Sequence, residues 1–196
     1  METLQGKVKV SYVEKGMSVN SNKKIITTYK FNKHMEVHKN SFIVPYQKLL
    51  DELINNGQFD KLQKSFEELV IEFPYNIGIS QMVEINENDK VFYAKRMGRN
   101  IFTKFVKNRE PKIVNKCIVC LKQSYTNINE YFLITMFPGE QIIKEPEDNN
   151  IKEKKTLEHT LEFWGEHAII FDEETVDSLS YAEECPYTHL WQKEFK

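Results

Sequence analysis

The sequence predicts an α+β fold: an antiparallel sheet with flanking helices, and an αα-hairpin in the N-terminal half. Three observations predict it. Alternating or β-branched segments recur along the chain, two stretches before Pro74 carry apolar residues at helical spacing, and two strong strand patterns joined by a polar loop read as a β-hairpin.

The elements follow in order. Val8 to Val13 alternates apolar and polar residues, the period of a half-buried strand. Gly16 and the polar stretch from Ser18 to Lys24 suit a turn, and the β-branched and aromatic run from Ile25 to Phe31 suits a second strand. Pro45 opens a helix, because its fixed φ fits the first helical turn. Leu49, Leu50, Leu53 and Ile54 make its apolar stripe, and Asn56-Gly57 stops it. Phe59, Leu62, Phe66, Leu69 and Val70 form a second stripe at helical spacing, ended by Pro74; together these predict the αα-hairpin. Met82 to Ile85 and Val91 to Ala94 are short strands. Ile113 to Leu121 and Tyr131 to Phe137 are the clearest strands, joined by the polar loop from Ser124 to Asn129. Glu145 to Lys155 reads as an exposed loop, Leu157 to Trp164 as a helix, and Ala168 to Phe171 as a strand. The expected division is residues 1–78, residues 79–171 as a basic α+β domain, and residues 172–196 as an acidic and aromatic tail.

A chain with 40% hydrophobic residues can form a packed core, which argues against disorder. No apolar run approaches the roughly 18 residues needed to span a bilayer, and the N-terminus has no hydrophobic signal core. A cytoplasmic location and no membrane partner are therefore expected. Cys117, Cys120 and Cys185 do not make a disulfide framework. Cys117 and Cys120 fall inside a strand, three residues apart, and so point to opposite faces.

Charge is strongly segregated. All three arginines, Arg96, Arg99 and Arg109, fall within fourteen residues, and ten basic residues face one acidic residue between Lys90 and Lys122. Residues 140–196 carry a net charge of −9 within a chain of net charge −2. Arginine grips phosphate or carboxylate with a planar fork, and lysine adds a point charge. The cations Lys95, Arg96, Arg99, Lys104, Lys107 and Arg109, with Thr103 among them, alternate with Phe102, Phe105 and Val106, so part of the segment packs inward and aims charge outward. Such a patch predicts RNA or DNA contact, with steep salt dependence. Internal neutralisation, with the acidic tail against the basic centre, is the competing expectation.

His167 sits where a helix ends and a strand begins. It could move protons near neutral pH, or it could simply cap the helix C-terminus as a cation. His34 and His38 have the i, i+4 spacing of a helical metal pair, but they fall in an expected strand-to-loop region without a third ligand, so no metal site is expected there. Thr135, on the strongest strand, could face a cleft, although a β-branched residue in a strand needs no functional reason.

The ordered series FYAKRMGRNIFTKFVKNREP, KIVNKCIVCLKQ, YFLITMFPGE, EPED and LEFWGEHAII resembles phage- and toxin-associated domains of the barnase–EndoU–colicin–RelE-like ribonuclease superfamily over about residues 90–171. Those domains carry a KR-x-GR turn, a Ser-Arg-Phe-Val element, an LIT-bearing strand, an acidic EP loop and a Phe-Trp-x-x-His-Ala end. Arg96, Arg99, Thr135 and His167 fall on the pattern. Thr103-Lys104 departs from its Ser-Arg, keeping a hydroxyl and a charge but losing the fork. The resemblance implies RNA cleavage by 2′-OH attack without metal or cofactor, in a toxin or phage effector. His167 would be acid or base, Arg96 and Arg99 would hold the phosphate, Lys104 would add charge, and Thr135 or Thr103 a hydrogen bond. Lys95, Lys107 and Arg109 would add nucleic-acid contacts. RNA is the expected partner. The alternative is a non-catalytic module using the same patch for RNA or for an acidic protein partner or inhibitor.

Overall fold

The computed structural model describes residues 12–17, 23–140 and 143–192, with side chains for 23–140 and 143–190. The chain is mixed α+β, as expected, but it divides into two units that are each discontinuous in sequence. Unit 1 holds Met1–Ile79 and Val114–Glu140; unit 2 holds Ser80–Ile113 and Gln141–Lys196. The division expected at residues 78 and 171 therefore gives way to a different one. The strongest hairpin pairs with strands of the N-terminal segment and joins unit 1, while the acidic C-terminal segment is part of unit 2.

Unit 1 is built on a five-stranded sheet in the order β1-β2-β10-β9-β3, from β1 (Tyr12–Met17), β2 (Lys24–Thr28), β3 (Phe66–Glu72), β9 (Lys116–Gln123) and β10 (Glu130–Pro138). All pairings are antiparallel except β2 with β10, which is parallel. The strand expected over Val8–Val13 overlaps β1 only at Tyr12 and Val13, its earlier residues lying outside the described ones, and Gly16, expected in the turn, is paired with Ile25 inside β1. Two helices, α1 (Tyr29–His38) and α2 (Tyr46–Asn55), bring Phe31, Met35, Leu49, Leu50 and Leu53 against Ile25, Val119, Leu121, Tyr131 and Leu133 in the core. Burying apolar surface of this kind is the main favourable contribution to folding.

Two local expectations are corrected here. The run from Ile25 to Phe31 is a strand only as far as Thr28. The Thr28 side chain accepts a hydrogen bond from the backbone N–H of Phe31 at 3.1 Å and starts α1, with Phe31 and Met35 buried four residues apart. His34 and His38 therefore lie on a helix, not in a strand-to-loop region. The second half of the expected αα-hairpin is a strand. In β3 the chain alternates, with Leu69 and Ile71 packed on the core and Phe66 and Val70 exposed. Pairing along the length of β9 decides between the two periods.

Unit 2 has a four-stranded sheet in the order β5-β11-β7-β6, from β5 (Met82–Glu84), β6 (Val91–Lys95), β7 (Phe102–Val106) and β11 (His167–Ile170). Helix α3 (Lys154–Glu166) leads directly into β11. Leu157 and Leu161 of α3 pack with Tyr93, Ile151, Tyr187 and Leu190. The C-terminal segment does not stand apart as a tail. Ala182 exchanges two 2.8 Å backbone hydrogen bonds with Tyr93, and Asp177 N–H donates to the Lys95 carbonyl, so this segment runs along the edge of β6. The remaining strands, β4 (Gly78–Ser80) and β8 (Lys112–Val114), form a two-stranded ribbon. No helix among the described residues is long and apolar enough to cross a membrane.

Candidate functional site

The arginine-bearing segment is a turn between two paired strands. Gly98 adopts φ +76°, a left-handed conformation that favours glycine, and the Arg99 N–H donates to the Arg96 carbonyl at 2.9 Å to close the turn. The turn sends both arginines to one acceptor, Glu145, whose side chain is only 4% exposed. Arg96 donates to Glu145 Oε1, Arg99 lies 3.4 Å from both carboxylate oxygens, and the Thr103 hydroxyl donates to Oε1 at 2.8 Å. Arg96 keeps one buried N–H, at Nε, without an acceptor among the described residues.

Glu145 is itself held in place. The Asp148 N–H donates to its carbonyl at 2.9 Å, and the Trp164 indole donates to the Lys144 carbonyl at 3.0 Å, tying this loop to α3. Glu147 accepts from the Phe102 N–H at 2.9 Å and caps the entry to β7. The acid that pairs with Arg96 and Arg99 is therefore Glu145, and not the acidic tail of the competing expectation. That segment reaches the arginine turn through its backbone: the Met97 N–H donates to the Thr175 carbonyl at 2.8 Å. The charge pattern alone could not single out Glu145 among fifteen acidic residues in 140–196; its place in an EPED turn was the available signal.

His167 and Lys104 meet at a different feature, the C-terminus of α3. A helix leaves its last four carbonyls without intrahelical partners. Here His167 Nδ1 lies 3.0 Å from the Phe163 carbonyl, Lys104 Nζ donates to the Trp164 and Gly165 carbonyls at 2.8 and 2.9 Å, and the Ile85 N–H donates to the Glu166 carbonyl at 2.9 Å. A carbonyl only accepts, so Nδ1 carries the proton in this contact, and Nε2 is the ring nitrogen left for other partners. The ring also stacks on Phe163, 4.1 Å between centroids and nearly parallel. Lys104 is 4% exposed, and burial lowers its pKa from the usual lysine value, against a smaller opposing effect of Cys185. It is thus not the surface cation expected from the charge run. Thr103 and Lys104 are strand neighbours that alternate in direction, which sends one to Glu145 and the other to α3.

The other cations are also engaged. Arg109 pairs with Asp89 and donates to the Glu84 carbonyl at 3.3 Å; backbone donation from Asn86 and then Arg109 hold the Asp89 carboxyl below its ordinary value. Lys107 lies over the rings of Phe171, Phe92 and Tyr181 at 4.9, 5.2 and 5.9 Å. Lys95 donates to Asn100 Oδ1 at 2.9 Å. Thr135 belongs to unit 1, where its hydroxyl lies 3.0 Å from His34 Nε2. Cys117 and Cys120 are buried thiols, with pKa values raised by burial to about 12 and about 11; Cys117 packs in the helix-covered core of unit 1.

Unit 2 thus presents two arginines and one hydroxyl gathered on a buried carboxylate and, at the end of α3, a histidine whose Nδ1 is held by the Phe163 carbonyl. Comparison with protein-family models, with curated proteins and with solved structures gives no match to this chain.

Proposed function

We propose that unit 2 is a metal-independent endoribonuclease-type domain acting on RNA, of the kind found in toxins and phage effectors. The observation that carries this reading is the convergence of Arg96, Arg99 and Thr103 on one buried carboxylate. The same forks and hydroxyl suit the non-bridging oxygens of a phosphodiester, which carry similar charge at similar spacing. In the reaction the ribose 2′-oxygen forms a bond to phosphorus and the bond to the 5′-oxygen breaks. His167 Nε2, free to accept, takes the 2′ proton; the leaving 5′-oxygen gains a proton from His167 or solvent; the arginines balance charge on the phosphorane.

A second reading, a binding module without turnover, is supported by two observations. Glu145 already occupies the arginines, and Lys104 is committed to the end of α3. The two readings separate in one experiment. Purified protein and its His167→Ala variant are incubated with labelled RNA in EDTA. Wild-type cleavage leaving 2′,3′-cyclic phosphate ends, lost in the variant, supports the nuclease. Salt-sensitive retention without cleavage in either protein overturns it in favour of the binder.

A further inference from the structure

We infer that His34 and His38 of α1 form a binding site for a single divalent transition-metal ion such as Zn²⁺. The site lies in unit 1 and is independent of the reading proposed for unit 2.

Geometry supports it first. The two Nε2 atoms stand 3.2 Å apart, one helical turn from each other on α1. Two imidazole nitrogens bound tetrahedrally to zinc at about 2.0–2.1 Å are roughly 3.3 Å apart. The side chains thus already hold the spacing that chelation needs, with rings nearly perpendicular at 80°.

The hydrogen bonding at His34 is the second observation. Its Nε2 lies 3.2 Å from His38 Nε2 and 3.0 Å from the Thr135 hydroxyl. A ring nitrogen offers either one proton or one lone pair, so it satisfies only one of these contacts well. A relay through the ring would use both of its nitrogens; here both contacts fall on the same one. Both contacts meeting at His34 Nε2 suit a cation held by the two histidines, with the hydroxyl beside His34.

The surroundings agree. The pairing of β10 with β9 shifts register between Leu133 and Thr135, and such a bulge re-aims a side chain. The ring of His38 lies 5.8 Å from that of Phe137, which shields one side. Among the described residues no third His, Cys, Asp or Glu completes the set, so water would fill the remaining positions.

The test is a calorimetric titration of the full chain with ZnCl₂ in a non-coordinating buffer at pH 7.5, with long-range ¹H–¹⁵N imidazole spectra on the same samples. The expected result is one ion per chain, with the Nε2 resonances of His34 and His38 shifting together. Affinity should fall at least tenfold in His34→Gln and in His38→Gln, whose metal-free melting curves report that they are folded. Two outcomes overturn the inference: no zinc uptake by the wild type, or unchanged uptake in the His34→Gln/His38→Gln double variant, which would move the ion to other residues.

Discussion

Arg96 and Glu145, 49 residues apart in sequence, form an ion pair in which the glutamate side chain is nearly buried and the arginine side chain is 30% exposed. Arg99 and Thr103 share the same carboxylate. Glu145→Gln keeps the shape and removes the charge, leaving two guanidinium groups less well neutralised. Stability should drop by about 1–3 kcal/mol, the usual range for a lost charged hydrogen-bond partner. RNA retention at low salt should tighten as the arginines are released. Urea denaturation and filter retention on the same protein check both; an unchanged urea midpoint would show that the pair contributes little.

Lys104 closes the C-terminal end of α3. Replacing it with Met preserves much of the stem packing but leaves the Trp164 and Gly165 carbonyls without their donor. Relief from burying a charge offsets part of the loss, so a net destabilisation of about 1–2 kcal/mol is expected. Hydrogen exchange should quicken in the last turn of α3 and remain unchanged in α2.

Gly78 sits where no side chain fits. A Cβ built on it would stand 2.4 Å from the Ser41 carbonyl oxygen and 2.4 Å from Pro138 Cγ. One of these atoms is backbone, so relief requires the chain to move. Gly78→Ala should destabilise unit 1 by about 3 kcal/mol, the upper end of the usual overpacking range, and lower the melting temperature. Gly165→Ala, whose Cβ meets no atom within 4 Å beyond its own helix backbone and chain neighbours, is the control and should melt at or slightly above the wild type, because alanine suits a helix better than glycine.

His38 makes stability depend on pH. Its folded pKa of about 4 lies below the ordinary 6.5 because of burial and the adjacent His34. Between those values the unfolded chain binds the proton and the folded chain does not, so stability is fully present above about pH 6.5 and is lost as pH falls toward 4. His38→Gln should flatten the urea midpoint over that interval. His34 and Phe137 lie against the ring, and a matching slope in wild type and variant would assign the dependence to other groups.

Much of the secondary structure was legible because it is locally encoded. The stripe of Leu49, Leu50, Leu53 and Ile54 and the stop at Asn56-Gly57 match α2, and the strand runs expected over Ile113–Leu121 and Tyr131–Phe137 match β9 and β10, except that Ile113 and Val114 belong to β8. Residues 66–72 were misread because Phe66, Leu69 and Val70 satisfy helical spacing, while Leu69 and Ile71 equally satisfy strand spacing. Glu67 adds to the ambiguity. A buried carboxylate is unexpected on an inner strand position, yet the Gln63 and Lys64 N–H groups satisfy it at 3.0 and 2.8 Å. Helix α1 was missed because its β-branched lead-in hides the Thr28 cap.

The candidate residues were visible as types and not as partners. Clustering the arginines required only counting, and Gly98 marked their turn. That Glu145 would face them, or that Lys104 would turn inward, depends on which loop folds over β7, and no local pattern states that.

The sequence by itself determined the α+β class, the helix opened by Pro45 and the helical run Leu157–Trp164, the hairpin of β9 and β10, and the concentration of cations between Lys90 and Lys122. These follow from periodicity, capping and charge acting over a few residues. Only the tertiary structure decided the strand identity of Phe66–Glu72, the two interleaved units, the pairing of Arg96 with Glu145, and the meeting of His34, His38 and Thr135. Each of these rests on contacts between segments tens of residues apart, where packing and hydrogen-bond satisfaction override local propensity.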